Sequence, residues 1–241
     1  RLVRADKMNA LDDRMFSALI DTGERLKREP GVRAVVLSGE GRAFCAGLDM
    51  GNFGRMADGG RQPGQSSAGG GLVTDDRTPG GSNRAVHGVA FGGGFQLALG
   101  PDLRFVAPDA RLSVMEIKWG LVPDMAGMVL MRSLLRDDVA RELTFSGRQF
   151  TGEEALTLGL ATRVCADPRA EALAFAADVA GKSPHAIRAG KRLLDLAYGG
   201  ASQRAVLEAE SAEQVALISS PNQVEAVMAN LQKRAPVFAE A

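Results

Sequence analysis

Three consecutive glycines, Gly92–Gly94, stand between an apolar run and the first turn of a short helix in HGVAFGGGFQLALG (residues 87–100). Glycine loses more conformational freedom on folding than any other residue, so a run of three needs a physical reason. One reason is close contact between two backbone segments. The other is a set of bare N–H groups at the positive end of a helix, which bind phosphate or the oxygen of a polarised carbonyl. No P-loop lysine follows the glycines, which favours the carbonyl role.

The rest of the chain alternates between strand patterns and helix patterns. Residues 11–29 carry apolar side chains at helical spacing, and Pro30-Gly31 ends that helix. Further elements are predicted as strands at 32–39, 85–91, 103–107 and 111–115, and as helices at 184–198, 203–219 and 222–233. Strands alternating with helices, followed by a helical tail, predict an α/β domain with a helical C-terminal part.

The stretch 51–85 differs from its surroundings, since it contains ten glycines together with Pro63 and Pro79. Such a composition buries too little apolar surface to offset the entropy of ordering it. We therefore expect a mobile loop or lid beside an active site, with a disordered surface insertion as the alternative.

Charge and cysteine content exclude several classes of protein. Lysine plus arginine and aspartate plus glutamate number 29 each, so the chain lacks the basic excess of a nucleic-acid or anionic-membrane binder. No apolar run approaches the roughly 20 residues of a membrane span. The two cysteines, Cys45 and Cys165, form neither a disulfide framework nor a metal-ligand spacing. We expect a cytoplasmic protein without a metal site, and we interpret Cys45 as a packing residue because no motif supplies a histidine partner.

A second loop shares the chemistry of the glycine run. GRAFCAGLDM (41–50) also follows a strand and has a small-residue turn before an acid. Two such turns on neighbouring strands can each donate one backbone N–H to a single oxyanion. With this loop, the segments ADKMNAL (5–11), VHGVAFGGGFQLAL (86–99), MEIKWGLVPDMAG (115–127) and FSGRQFTGEEALTLGLATRV (145–164) resemble, in order, the crotonase or enoyl-CoA hydratase/isomerase superfamily. The resemblance covers nearly the whole chain.

The resemblance implies a fold and an assembly. It implies an α/β protein with a crotonase-like ββα-spiral core over residues 1–180 and a helical C-terminal trimerisation region over 181–241. It also implies a homotrimer or a dimer of trimers that acts on an acyl-CoA thioester in fatty acid metabolism. Coenzyme A is then part of the substrate, and no separate cofactor, nucleic acid or membrane partner is expected.

The resemblance also implies positions for the substrate. In this family two backbone N–H groups hold the thioester oxygen, and on this sequence they fall at Leu48 and Gly93. The glycine run would then be bare so that a backbone amide can approach the substrate carbonyl. Contacts to coenzyme A are implied at Lys7, Met8, Ala46, Asp49 and Met50. A simpler hypothesis for Asp49 is that it caps the turn after Gly47.

The catalytic acids match the family only in part. Typical hydratases hold a water between two glutamates, of which the second matches Glu116 and the first falls at Gln96. An amide cannot accept a proton at neutral pH, so the two-carboxylate machinery is incomplete. Asp124 matches an acid of the dienoyl-CoA isomerases, or alternatively caps a following helix. The resemblance thus favours isomerisation by Glu116, with hydration, non-catalytic acyl-CoA binding or another enolate reaction as alternatives.

Two departures from the family pattern are visible. GGSNRA (80–85) stands where the family usually carries an apolar strand before VHG, and a hairpin usually precedes KMNAL. Loss of a central strand would expose ladder edges and core, which would put activity in doubt.

Overall fold

The computed structural model describes residues 1–49, residue 51 and residues 81–240. Its strands are β1 (Ala34–Ser38), β2 (Gly81–Val86), β3 (Val89–Phe91), β4 (Leu103–Val106), β5 (Arg111–Ser113), β6 (Phe150–Thr151) and β7 (Arg163–Val164). Its helices are α1 (Asp13–Arg28), α2 (Gly93–Leu99), α3 (Gly127–Leu134), α4 (Asp137–Ser146), α5 (Gly152–Leu158), α6 (Pro168–Ala180), α7 (Pro184–Tyr198), α8 (Gln203–Leu217) and α9 (Pro221–Leu231). Short 3-10 turns span Ala5–Lys7 and Glu116–Trp119. The predicted lid falls mostly on residues 52–80, which lie outside the described residues.

The strands of the described residues form two sheets. One sheet has the order β1-β2-β4-β7 with every pair parallel, and the other has the order β3-β5-β6. In the second sheet β3 and β5 are parallel, whereas β5 and β6 are antiparallel. Among the described residues the chain changes sheet from β2 to β3, from β3 to β4, from β4 to β5 and from β6 to β7, so it winds as a spiral. This mixed α/β architecture confirms the predicted fold class.

Strand β2 corrects the expectation that a central strand is missing. The segment GSNRAV pairs with β1 on one side and β4 on the other, and most of it is buried. The parallel ladder uses backbone groups alone, so a polar segment can occupy the place of an apolar one. Two of its polar side chains make hydrogen bonds. The Ser82 hydroxyl donates to Asp102 Oδ2 at 3.0 Å, and Arg84 donates to the carbonyl of Leu97 at 3.2 Å.

The predicted continuous strand 85–91 is also wrong, because it is broken into the end of β2 and the whole of β3. Gly88 lies at the break with φ 62°, and a Cβ there would overlap the carbonyl oxygen of Arg42. Only glycine adopts this backbone conformation in that space without strain. The break carries the chain from one sheet to the other.

Helix α2 is held at its C-terminal end by two buried arginines. Arg84 donates to the carbonyl of Leu97, and Arg104 donates to the carbonyls of Leu99 (3.3 Å) and Pro101 (2.8 Å). Burial lowers the pKa of both arginines to about 10, so both remain charged at neutral pH. Cations at a helix C-terminus satisfy its last carbonyls and oppose the negative end of the dipole. These contacts hold the C-terminal end of the helix whose first residue is Gly93.

Each of the three C-terminal helices begins after a capping serine. Ser183, Ser202 and Ser220 accept hydrogen bonds from backbone N–H groups in the first turns of α7, α8 and α9. A serine in this position satisfies an N–H that the helix itself leaves without a partner. These starts agree with the predicted helices. No helix among the described residues is long and apolar enough to cross a membrane.

Candidate active site

A cavity of about 620 Å³ opens beside the N-terminal end of α2. Its lining brings together eight of the site residues predicted from the sequence, Lys7, Met8, Ala46, Leu48, Asp49, Gly93, Glu116 and Asp124. Gln96 is not part of the lining, and Met50 lies outside the described residues. The cavity is thus built from segments that are far apart along the chain.

Parallel pairing places these segments side by side. Leu11 forms a parallel bridge with Leu48, and Cys45 forms another with Ala90 on β3. Since β3 also runs parallel to β5, all of these segments reach the same edge at their carboxyl ends. Residues that follow the strands therefore meet there, which is how Gly93 and Glu116 come to line one cavity.

The three glycines do not share one environment. Gly92 has φ 51° and ψ −119°, a conformation that L side chains rarely adopt. At Gly94 a Cβ would overlap the carbonyl oxygen of Cys45, so two backbones are in close contact. At Gly93 a Cβ would meet a side chain of the cavity, 3.0 Å from Met125 Sδ, and at Gly92 it would lie 3.5 Å from Glu116 Oε1. Close contact between two backbone segments therefore accounts for Gly94, and the role of bare glycines in approaching the substrate stays a prediction for Gly92 and Gly93.

The N–H groups of Leu48 and Gly93 belong to two turns that touch. A Cβ on Gly47 would lie 3.7 Å from the Gly93 nitrogen and 2.6 Å from the Phe91 oxygen. As the first residue of α2, Gly93 has an N–H without a partner inside its own helix. The bridge between Leu11 and Leu48 uses the N–H groups of Leu11 and Asp49. Within the described part of the chain, neither the Leu48 nor the Gly93 N–H donates a hydrogen bond.

Asp49 is held by a turn and by an arginine. Its Oδ1 accepts from the Gly51 N–H at 2.8 Å, and its Oδ2 lies 2.5 Å from the guanidinium of Arg4. The hydrogen bond from Gly51 and the contact with Arg4 lower the pKa of Asp49. Asp49 therefore accepts from a backbone N–H two residues further on, which agrees with the hypothesis that it caps the turn after Gly47. Arg4, which the sequence analysis missed, ties this turn to the start of the chain.

Glu116 is a nearly buried acid, with 8% of its surface exposed. Its Oε1 accepts a hydrogen bond of 2.7 Å from Nε2 of Gln96. Burial raises the pKa of Glu116, and the negative charge of Asp124 adds to the increase. The backbone N–H of Glu116 and the amide of Gln96 act in the opposite direction. A carboxyl group with a raised pKa accepts and returns protons more readily near neutral pH.

Gln96 lies behind Glu116 and is only 1% exposed. Its Oε1 accepts from the backbone N–H groups of Met125 (2.8 Å) and Gly127 (2.9 Å). The amide thus binds Glu116 on one side and the start of α3 on the other. The N-cap residue of α3 is Ala126 rather than Asp124, and the oxygen of Gln96 accepts from the N–H of Gly127, the first residue of the helix. Asp124 lines the cavity and is exposed.

The apolar wall of the cavity was not identified from the sequence. It consists of Leu11, Phe16, Phe91, Met115, Trp119, Leu121, Val122 and Met125. Several of these residues belong to MEIKWGLVPDM, in which only the acids had been considered. The apolar residues around Glu116 in the sequence could have indicated this wall, because a cluster of exposed apolar side chains marks a binding surface.

Cys45 has the environment of a packing residue, as predicted. It is fully buried, and its thiol donates to the carbonyl of Asn9 at 3.1 Å. Burial raises the pKa of Cys45 to about 12, so the thiolate is not formed at neutral pH.

The spiral of two sheets and the cavity at its edge place the chain in the class of crotonase-fold proteins. The chain belongs to the enoyl-CoA hydratase/isomerase family, whose model matches residues 1–241. It is a crotonase-type enzyme, as the resemblance implied, and its family acts on acyl-CoA thioesters.

The relatives of this chain include proteins named as hydratases and proteins named as isomerases. The chain is 33% identical over 239 residues to a probable enoyl-CoA hydratase of Bacillus subtilis, covering 95% of this chain and 90% of that protein. It is 28% identical over 253 residues to a mitochondrial Delta(3,5)-Delta(2,4)-dienoyl-CoA isomerase of Mus musculus, covering 97% and 76%. A solved structure of a putative enoyl-CoA hydratase from Streptomyces coelicolor superposes with a TM-score of 0.90 at 29% identity, covering 99% and 89%.

Proposed function

We propose that this enzyme moves the double bond of an enoyl-CoA thioester, with Glu116 as the group that carries the proton. The observation that supports isomerisation most is the environment of Gln96. Its oxygen is occupied by two backbone N–H groups and its amide by Glu116, and it does not line the cavity. It therefore does not replace the second glutamate as a holder of water.

The proposed reaction uses few groups. The thioester oxygen accepts hydrogen bonds from the N–H groups of Leu48 and Gly93, which stabilise the enolate by several kcal/mol, on the order of what one oxyanion-hole donor contributes. Ionised Glu116 takes a proton from one carbon of the acyl group and returns it to another. One proton leaves and one is added, so the net change is the position of the double bond. No cofactor takes part in this scheme.

Coenzyme A is proposed to bind at Lys7, Met8, Ala46 and Asp49, which belong to the same cavity lining, and at Met50, which lies outside the described residues. Lys7 is exposed and positively charged, which suits binding of the phosphates of coenzyme A. Asp49 is proposed to contribute to coenzyme A binding through its turn rather than through its carboxylate, since the carboxylate already binds Arg4.

Hydration is the second candidate, because Asp124 supplies another acid to the cavity and relatives of the chain are named enoyl-CoA hydratases. In this scheme Asp124 would activate the water while Glu116 protonates the substrate. The same two acids would equally serve a dienoyl-CoA isomerase.

Replacing Glu116 by glutamine tests the proposal. Glu116→Gln should lower the rate of double-bond migration roughly 10²–10⁴-fold, because a general acid–base group is removed. Affinity for a non-reacting CoA thioester should change little, since the proposed binding groups are untouched. Rates are measured on a panel of enoyl-CoA thioesters, scored for double-bond position and for water addition.

The matched control is Asp124→Asn, the other acid of the lining. Isomerisation that survives this change supports Glu116 as the single proton carrier. Efficient hydration by the unaltered enzyme would contradict the isomerase proposal and favour Asp124 as the base. Tight binding of CoA thioesters without any product would contradict both reactions.

We also infer that the enzyme assembles as a trimer or a dimer of trimers. The C-terminal helices expose many large apolar side chains, including Leu194, Tyr198, Leu207, Val215, Ile218, Val224, Val227, Met228 and Leu231. Apolar surface of this extent on three successive helices favours contact with other copies of the chain. A cytoplasmic location stays a prediction from the cysteine content.

A further inference from the structure

We propose that Gln96 is a positioning residue that determines which oxygen of Glu116 transfers the proton. The same side chain connects the carboxylate of Glu116 to the Met125 wall of the cavity. The inference rests on the proposed function of Glu116. It adds a role for a side chain that does not reach the substrate.

The orientation of the Gln96 amide follows from its partners. Two backbone N–H groups, of Met125 and Gly127, point at one end of the amide, so that end must be the oxygen. The NH₂ end then faces the carboxylate of Glu116 at 2.7 Å. A reversed amide would place its NH₂ against two donors and its oxygen against a carboxylate. A single orientation is therefore strongly favoured.

This orientation makes the two oxygens of Glu116 different. Oε1 is held by Gln96, whereas Oε2 is buried and makes no hydrogen bond to another residue in the described part of the chain. An oxygen that already accepts a hydrogen bond is the poorer proton acceptor. Proton transfer with a bound substrate is thus assigned to Oε2.

The same amide oxygen sets one wall of the cavity. The Met125 N–H is one of its two donors, and the side chain of Met125 lines the cavity beside Gly93. A Cβ on Gly127 would lie 2.7 Å from the Gln96 oxygen, so glycine is needed there. One buried side chain therefore links the proton carrier to the apolar wall.

The neutral charge of Gln96 is part of its role. A carboxylate in its place would lie against Oε1 of Glu116, and two carboxylates in contact share a proton. Other titratable groups around Glu116 are Asp124, on the loop before α3, and Asp6, Lys7 and Asp49 elsewhere in the lining. Asp124 is the one whose charge raises the pKa of Glu116.

Gln96→Met tests the inference, because methionine fills a similar volume without hydrogen bonds. Loss of the Nε2 donor should raise the pKa of Glu116 by about one unit or more, as expected for a hydrogen bond to a charged group. The acid limb of the kcat/KM profile should move to higher pH by the same amount, and kcat should fall about tenfold or more. The pKa is read from the carboxyl signal of glutamate-labelled enzyme by ¹³C NMR, without substrate.

Leu97→Val is the matched control, since Leu97 is equally buried on α2 and its side chain is not hydrogen-bonded to Glu116. It should lower stability without moving the pKa of Glu116 or the acid limb. A Gln96→Met enzyme whose Glu116 pKa and acid limb match those of the control would overturn the inference. The NMR reading needs no turnover, so it tests the effect of Gln96 on Glu116 separately from the proposed isomerase activity.

Gln96→Glu serves if the methionine variant does not fold, because a carboxyl oxygen can still accept from Met125 and Gly127. The variant should retain one shared proton between residues 96 and 116 at neutral pH. Full ionisation of both carboxyls at neutral pH would contradict the contact on which the inference rests.

Discussion

Individual glycines around the cavity differ in what a side chain at their position would contact. Gly94 is required by contact with the Cys45 carbonyl, whereas Gly93 borders flexible side chains. Flexible side chains move aside for a methyl group more readily than backbone does. Alanine substitutions should therefore separate a structural glycine from one that borders the substrate.

Gly94→Ala should lower the free energy of unfolding by about 1–3 kcal/mol or more, because the methyl group would overlap the Cys45 backbone. Gly93→Ala should cost less stability but weaken CoA-thioester binding, since its methyl group would enter the cavity. Urea unfolding and thioester titration measure the two effects. Equal losses of stability in both variants would contradict this separation.

Glu116 should also make stability depend on pH. Its pKa in the folded state is raised, chiefly by burial, so folding favours the protonated acid. The stability contributed by the protonated form is full below the unfolded pKa and is lost as pH rises through the folded pKa. Glu116→Gln, which removes the charge, should therefore be more stable than the unaltered enzyme at neutral pH.

The advantage of Glu116→Gln should shrink as the pH falls towards the ordinary pKa of glutamate. Thermal unfolding at several pH values measures it, with Glu153→Gln on the exposed start of α5 as a surface control. An advantage that grows on acidification would show that the folded-state pKa is lowered instead.

Among the secondary-structure elements, strand β2 is the one whose composition fits its position least. Asn83 lies at its centre with 1% exposure, opposite Val36 on β1 and Leu103 on β4. Neither its oxygen nor its nitrogen has a hydrogen-bond partner among the residues that the structure describes. Buried polar groups without partners destabilise the folded state.

Asn83→Val should raise the free energy of unfolding by about 1–2 kcal/mol, because an unpaired amide is replaced by a side chain suited to a strand. Ser82→Ala is the neighbouring comparison and should lower it, since Ser82 donates to Asp102 and accepts from its N–H. Urea unfolding of both variants gives the comparison. Destabilisation by Asn83→Val would indicate that the amide has a partner.

At the scale of the whole molecule, assembly depends on the exposed apolar faces of α7, α8 and α9. At micromolar concentration the enzyme should sediment at three or six times the 25.4 kDa of the chain. Leu231→Glu, at a side chain 74% exposed, should weaken the assembly because a charge would enter an apolar interface.

Val3→Glu is the control for that substitution, because Val3 is similarly exposed but lies far from the C-terminal helices in sequence. It should leave the sedimentation unchanged. A monomer at micromolar concentration would contradict the proposed assembly, and equal dissociation in both variants would show that α9 has no special part in it.

Local sequence was sufficient for the helix starts at Ser183, Ser202 and Ser220, since a capping side chain acts within its own turn. Short motifs also identified eight residues of the cavity lining, because each motif forms one turn after one strand, but they did not identify its apolar wall. The partners of Gln96 were beyond reach, since they lie 20 to 31 residues away and meet it only when the sheets are assembled. Strand β2 escaped prediction for the same reason: its side chains are polar, and backbone pairing with β1 and β4 places it at the centre of a sheet.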